Sequence, residues 1–185
     1  MTPVTIPWRY RFRSLSRGGK GWWRWRDPLT HSPRLPKLQS TEQQAYKDAA
    51  AAILHEKGIA RPELRLTQVI RVDLDGDGSE EVLVSATQYA KGLSASASPG
   101  DYSMVFMRRV LKDKVVTSLL EGDFFPRGVD FGAPGEHRVG TVLDLNGDGV
   151  MEIVLFGRYY EGDWAAVFRV EGDKIVKILT AGCGV

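Results

Sequence analysis

Two nine-residue stretches hold most of the residues whose types could do chemistry. The first reads Asp73-Leu74-Asp75-Gly76-Asp77-Gly78-Ser79-Glu80-Glu81, and the second Asp144-Leu145-Asn146-Gly147-Asp148-Gly149-Val150-Met151-Glu152. In both, oxygen-bearing side chains stand at positions 1, 3, 5 and 9, and a main-chain carbonyl is available at position 7. Calcium takes about six to eight hard oxygen ligands at about 2.3–2.6 Å in adaptable geometry, and this spacing supplies them. Glycine at position 6 permits the positive-φ bend that turns the carboxylates toward one point. Without a cation the four carboxylates of the first loop converge and repel; with one, they neutralise it. Two calcium sites are therefore expected. The first should be the tighter, because the second has three carboxylates and an amide.

The same spacing excludes other acidic motifs. An EF-hand needs a bidentate Glu at position 12 and a helix on each side. Position 12 is Val84 in one loop and Leu155 in the other, both inside apolar strand runs. Val69–Asp75 imitates the apolar run and Asp-x-Asp-Gly of haloacid-dehalogenase-type phosphatases, with Asp73 and Asp75 in the hydrolytic positions. Asp77 replaces the following Thr, however, the motif occurs twice, and no alternating β/α pattern follows. The three histidines, His31, His55 and His137, have neither metal-binding nor catalytic spacing, and Cys183 has no basic partner nearby in sequence. A non-enzymatic role is expected.

The pattern Asp-x-(Asp/Asn)-Gly-Asp-Gly-x-x-Glu followed by an apolar strand resembles the FG-GAP repeats of integrin-α-type β-propellers and the similar bacterial VCBS-like repeats. The resemblance spans roughly residues 64–179 and is concentrated in the two loops. It implies a calcium-binding interaction module whose ligands are Asp73, Asp75, Asp77, the Ser79 carbonyl and Glu81, and in the second loop Asp144, Asn146, Asp148, the Val150 carbonyl and Glu152. Propellers have about four to eight blades, whereas two units are present here.

The elements that must position these loops can be read from periodicity. Ser40 or Thr41 can cap a helix over Glu42–Lys57, with Gln43 in capping-box position and Gly58 as the stop. Tyr46, Ala49, Ala50 and Ile53 form its apolar stripe. From Leu64 the period becomes two. Strands lead into and out of Asp73–Glu81, and a connection rich in Ser and Gly (Lys91–Gly100) precedes a hairpin turning at Lys112-Asp113-Lys114. Strand, loop, strand and hairpin recur around Asp144–Glu152, with the second hairpin turning at Glu171-Gly172-Asp173. The acidic loops are offset by 71 residues. The expected fold is mainly β: one N-terminal helix, then two four-stranded antiparallel, propeller-blade-like units at about 64–121 and 137–180. Their sheets pack as a sandwich-like body, or pair through exposed edges with another copy.

Charge divides the 185-residue chain. Residues 1–38 hold nine Arg or Lys against one acid, interleaved with Trp, Gly and Pro, so a net charge of +2 comprises +8 here and −6 over residues 39–185. The segment reads as a disordered basic, aromatic arm. It offers an alternative role in binding nucleic acid or an anionic surface, ranked below the calcium-module reading. Arg158-Tyr159-Tyr160 and Trp164 read as an aromatic-packed strand face, with a small ligand site as the alternative. No apolar run approaches the roughly 20 residues of a membrane helix. One cysteine excludes an intrachain disulfide, and no secretory signal is written at the N-terminus. Calcium loops suit an extracytoplasmic or cell-surface setting, with a protein or carbohydrate as ligand.

Overall fold

A computed structural model describes residues 34–184; most of the basic arm lies outside them. The fold is mainly β. Nine strands and one helix follow in the order β1 (Lys37–Leu38), α1 (Gln44–Glu56), β2 (Leu66–Val72), β3 (Glu81–Gln88), β4 (Asp101–Leu111), β5 (Lys114–Phe125), β6 (Glu136–Leu143), β7 (Glu152–Tyr159), β8 (Gly162–Glu171) and β9 (Lys174–Gly184). They form a five-stranded sheet, β1-β2-β3-β4-β5, and a four-stranded sheet, β6-β7-β8-β9; the two do not close into a barrel. Every pairing is antiparallel. The two-residue β1, drawn from the end of the basic arm, is an addition to the eight expected strands.

The helix stops where its sequence dictates, but it starts at Gln44 with Gln43 as an N-cap that makes no side-chain cap bond, rather than being capped by Ser40 or Thr41. Gly58 adopts φ +87°, its N–H bonds the His55 carbonyl (3.0 Å), and the Ile59 N–H reaches the Leu54 carbonyl (2.9 Å). These are the two bonds of a Schellman cap, with Ile59 supplying the apolar contact. At the other end Ser40 forms a turn before the helix: its Oγ accepts the Glu42 N–H (3.2 Å), and the Gln43 amide donates to its carbonyl (3.3 Å). The helix lays Ala50, Ile53 and Leu54 on one face of the first sheet, against Val69, Val82, Val84, Tyr102, Met104 and Phe106. Leu54 joins the expected stripe; Tyr46 and Ala49 flank it. Both hairpins turn in two residues. Lys112 and Asp113 take φ +50° and +63°, the two positive values a type I′ turn requires.

The opposite face of the first sheet packs on the second. Ile70, Val72, Leu74, Leu83, Val105 and Met107 meet Val139, Val142, Ile153, Leu155, Ala166 and Phe168 in one buried cluster. A polar seam sets the position of β6 on this interface. Gln68 accepts the Val139 N–H on Oε1 (2.9 Å) and donates from Nε2 to the Val139 carbonyl (3.2 Å), while Ser85 Oγ donates to the same Oε1 (2.8 Å). The layers thus run helix, first sheet, second sheet.

Trp164 is half-buried near the start of β8, where it lines a groove together with Arg158. Its ring stands edge-on to His137, 5.2 Å between centroids, and lies over its cross-strand partner Gly157. A Cβ at Gly157 would occupy the space of the indole. Gly157→Ala is accordingly expected to destabilise the protein by about 1–3 kcal/mol through overpacking. Denaturant unfolding measures it, and an unchanged midpoint would contradict this packing.

Candidate metal centre

Each acidic loop joins two neighbouring antiparallel strands, the first between β2 and β3 and the second between β6 and β7. In the first loop the carboxylates fold back on the main chain. Asp73 accepts the Gly76 N–H on Oδ1 (2.6 Å) and the Gly78 N–H on Oδ2 (3.1 Å). Asp75 Oδ1 accepts from Asp77 (3.1 Å), and Asp77 Oδ1 accepts from Ser79 (2.6 Å). Gly76 and Gly78 stand at φ +80° and +90°, which turns their N–H groups inward where a Cβ-bearing residue would be strained. As a result, one carboxylate oxygen from each of Asp73, Asp75 and Asp77 lies within 4.8 Å of the others, the only such group of three among the described residues.

Glu81, expected as a further ligand, is not a member of that group. It is buried, and its Oε2 accepts the Leu74 N–H at 2.9 Å, closing the base of the loop. Burial pushes the Glu81 carboxyl above its ordinary range; the Leu74 N–H opposes this, and nearby Asp75 and Asp77 add to it. The three convergent carboxylates of Asp73, Asp75 and Asp77 are oxygen donors of the kind that could hold a hard cation. The nearest positive group is Arg34. Its Nη1 lies 3.7 Å from Asp73 Oδ1, and its Nη2 donates to the Gly149 carbonyl of the second loop.

The second loop has the same backbone design and a different interior. Asp144 accepts the Gly147 and Gly149 N–H groups at 2.6 and 2.8 Å, and the Gly149 bond is the leading cause that holds its carboxyl below the ordinary range. Asn146 Oδ1 accepts from Asp148 (2.8 Å), Asp148 Oδ1 accepts from Val150 (2.8 Å), and Glu152 Oε2 accepts from Leu145 (2.9 Å). The amide of Asn146, however, donates to Asp148 Oδ2 (2.9 Å) and Glu152 Oε1 (3.1 Å). Arg169 Nε adds a third donor to the fully buried Glu152, also at 3.1 Å. Protein N–H groups here answer the acceptors that the first loop leaves facing one another. The loops also touch: the Met151 N–H donates to the Leu74 carbonyl at 2.8 Å.

Sequence reasoning had no means of finding Arg34 over the first loop, because it is separated from Asp73 by a whole helix. It likewise missed the cluster of Ser103, Asp123 and His137. The His137 main-chain N–H bonds Ser103 Oγ (2.8 Å), and its Nε2 lies 3.5 Å from Asp123 Oδ2. Ser103 is fully buried, and it is the main chain of His137 rather than its ring that meets the hydroxyl, so this trio is not arranged as nucleophile and base. Nor does the antiparallel setting of Asp73 and Asp75 match the parallel sheet of the phosphatases that their motif imitates. No protein-family model, curated protein or solved structure matches the chain.

Asp123 gives the structure a pH signature. Burial works to raise its carboxyl, but His137 and the Gly135 N–H (2.7 Å) together hold it below the ordinary carboxylate range. A carboxyl depressed in the folded state stabilises above its unfolded value of about 3.9, and that contribution is lost as pH falls through the lower folded value. Asp123→Asn is expected to lower the melting temperature at neutral pH and to converge on the parent protein in stronger acid. A gap that stays constant across the range would contradict this origin.

Proposed function

We propose that this chain is a calcium-stabilised, non-enzymatic binding and interaction domain of the FG-GAP or VCBS-like kind, acting outside the cytoplasm. The observation that carries the reading is the convergence of Asp73, Asp75 and Asp77 oxygens within 4.8 Å at the end of the β2–β3 hairpin. Those three residues, the Ser79 carbonyl and Glu81 would hold the ion. A bound calcium supplies the positive charge that four acidic groups lack. The chain's own contribution is orientation: inward main-chain N–H groups at Gly76, Gly78 and Ser79 fix the carboxylates before any ion arrives.

The second loop is the weaker site in this reading. Asp144, Asn146, Asp148, the Val150 carbonyl and Glu152 would hold its ion, but the Asn146 amide must first turn its oxygen inward and Glu152 must share its charge with Arg169. The role of calcium is to fasten the end of β2 to the start of β3, and more weakly β6 to β7. A protein or carbohydrate partner then meets a surface held in one register.

At about 100 times its dissociation constant, an ion binding only the folded state adds about 2.7 kcal/mol, or roughly 5–10 °C in melting temperature for a domain of this size. Thermal melts in calcium and in EDTA are expected to differ by that amount, and identical melts would overturn the reading. Asp73→Ala should remove most of the shift and Asp144→Ala less; equal losses would overturn the ranking of the two loops.

A further inference from the structure

The first loop already faces a cation, and that cation belongs to the chain. β1 runs antiparallel to β2, with Lys37 opposite Arg71 and Leu38 opposite Ile70. The Gln39 N–H donates to the Val69 carbonyl at 2.8 Å and continues the pairing. Residues before Lys37 must therefore lie alongside residues after Arg71, which brings Arg34 to Asp73. The other two basic groups nearby are already engaged outside the expected ligand set. Lys37 Nζ meets Glu80 Oε1 at 2.8 Å, and Arg71 Nε meets Glu80 Oε2 at 3.1 Å. The Glu80 carboxyl is held below its ordinary range chiefly by the Lys37 hydrogen bond. Arg34 alone of the three reaches the loop carboxylates.

Its guanidinium is pressed against the mouth of that loop. Nη1 lies 3.7 Å from Asp73 Oδ1, and a Cβ on Gly76 would come within 2.6 Å of it. Glycine at position 6 thus leaves room for the guanidinium as well as permitting the bend. Nη1 is buried and donates no hydrogen bond, so what it offers Asp73 is charge. Nη2 is spent on the Gly149 carbonyl of the second loop. At Gly147, the counterpart of Gly76, nothing among the described residues lies within 4 Å of an added Cβ. The second loop draws its positive charge from within, through Arg169 on Glu152. The first is served from outside by a side chain that can leave. A groove of about 810 Å³ beside Arg34, lined also by Asp73, Gly78 and Ser79, gives an ion a way in without opening the hairpin.

We propose that Arg34 is the built-in counter-ion of the first loop and competes there with a divalent cation, so that binding the ion and releasing Arg34 are one event. Asp73 is common to both states. A guanidinium keeps its charge at any physiological pH and has no lone pair to share with a metal, so beside an ion held by Asp73 it can only repel. A divalent ion carries twice the charge and takes several oxygens at once, which lets it replace Arg34 among the carboxylates. The coupling runs both ways: the factor by which Arg34 weakens the ion is the factor by which the ion weakens the hold on Arg34. Release also withdraws the donor from the Gly149 carbonyl and leaves the Met151–Leu74 bond to join the loops. Because β1 tethers Arg34 close to Asp73, the contact re-forms when the ion departs.

This inference rests on the calcium reading of the first loop and names how that site is regulated. Calorimetric titration of the full chain with calcium tests it in the parent, Arg34→Gln and Lys37→Gln. Thermal melts of all three in EDTA accompany the titration, and circular dichroism establishes that each is folded. At about 0.15 M ionic strength, charges more than about 8 Å apart are largely screened, so contact is separated from net charge. Arg34→Gln is expected to tighten the stronger calcium step by about fivefold or more, and to melt below the parent in EDTA. Lys37→Gln, which removes an equal charge from Glu80 instead, should change the affinity by less than about twofold. Binding seen in Arg34→Gln alone would also support the proposal. Equal calcium affinity in the parent and Arg34→Gln overturns it and leaves the calcium reading standing, as does equal tightening by both variants. Absence of binding in every protein overturns both.

Discussion

The central strands of the first sheet, β3 and β4, are buried on both faces, and most of the rest of the structure depends on that. Along β3 seven consecutive residues, Glu81 to Thr87, are buried, alternating between the helix side and the second sheet. A strand in this position cannot show the apolar–polar alternation of a half-exposed strand. Its polar members must instead be satisfied inside: Ser85 by Gln68, Thr87 by Ser103 at 2.8 Å, and Glu81 by the Leu74 N–H. Those satisfied groups do more than fill space. Gln68 and Ser85 reach across to β6, and Glu81 closes the acidic loop. The second sheet and the first loop are both anchored on one doubly covered strand.

The two acidic loops show how a shared backbone can serve unequal chemistry. Both close with a position-9 Glu accepting the position-2 N–H at 2.9 Å, a closure the two loops share. Among the side chains at positions 1, 3, 5 and 9, only position 3 differs. Asp75 leaves carboxylates facing carboxylates, while Asn146 places an N–H donor among them. Arg169 completes the compensation in the second loop. In the first, the corresponding Arg109 is drawn away to the Gly172 carbonyl by the neighbouring sheet. The packing of the sheets therefore bears on the charge balance of the first loop.

What could be read from the sequence was local. The helix, its Gly58 stop, the hairpins and the nine-residue loops each depend on residues within a turn or two of one another, and all are present, although the hairpins turn in two residues where three are expected. Glu81 and Glu152 were placed in the right loops, although the need for their buried closure to position 2 was not foreseen. The missing information was long-range. Arg34 lies 39 residues before Asp73, and Gln68 meets Val139 across 71. Nothing in a period-two pattern says which of a strand's two faces will meet a helix and which a sheet, so the stacking of the layers was out of reach.

Within each sheet from β2 onward, neighbours in space are neighbours in sequence, β2 through β5 and then β6 through β9. This meander has a kinetic meaning. Each ladder can zip from its own tight turn with short loop closures, and only the meeting of the two sheets requires distant parts of the chain to find one another. The slow event of folding is thus assigned to a docking step between two largely local assemblies. The residues at that seam, Gln68, Leu74 and Val139, control the moment at which the molecule becomes cooperative.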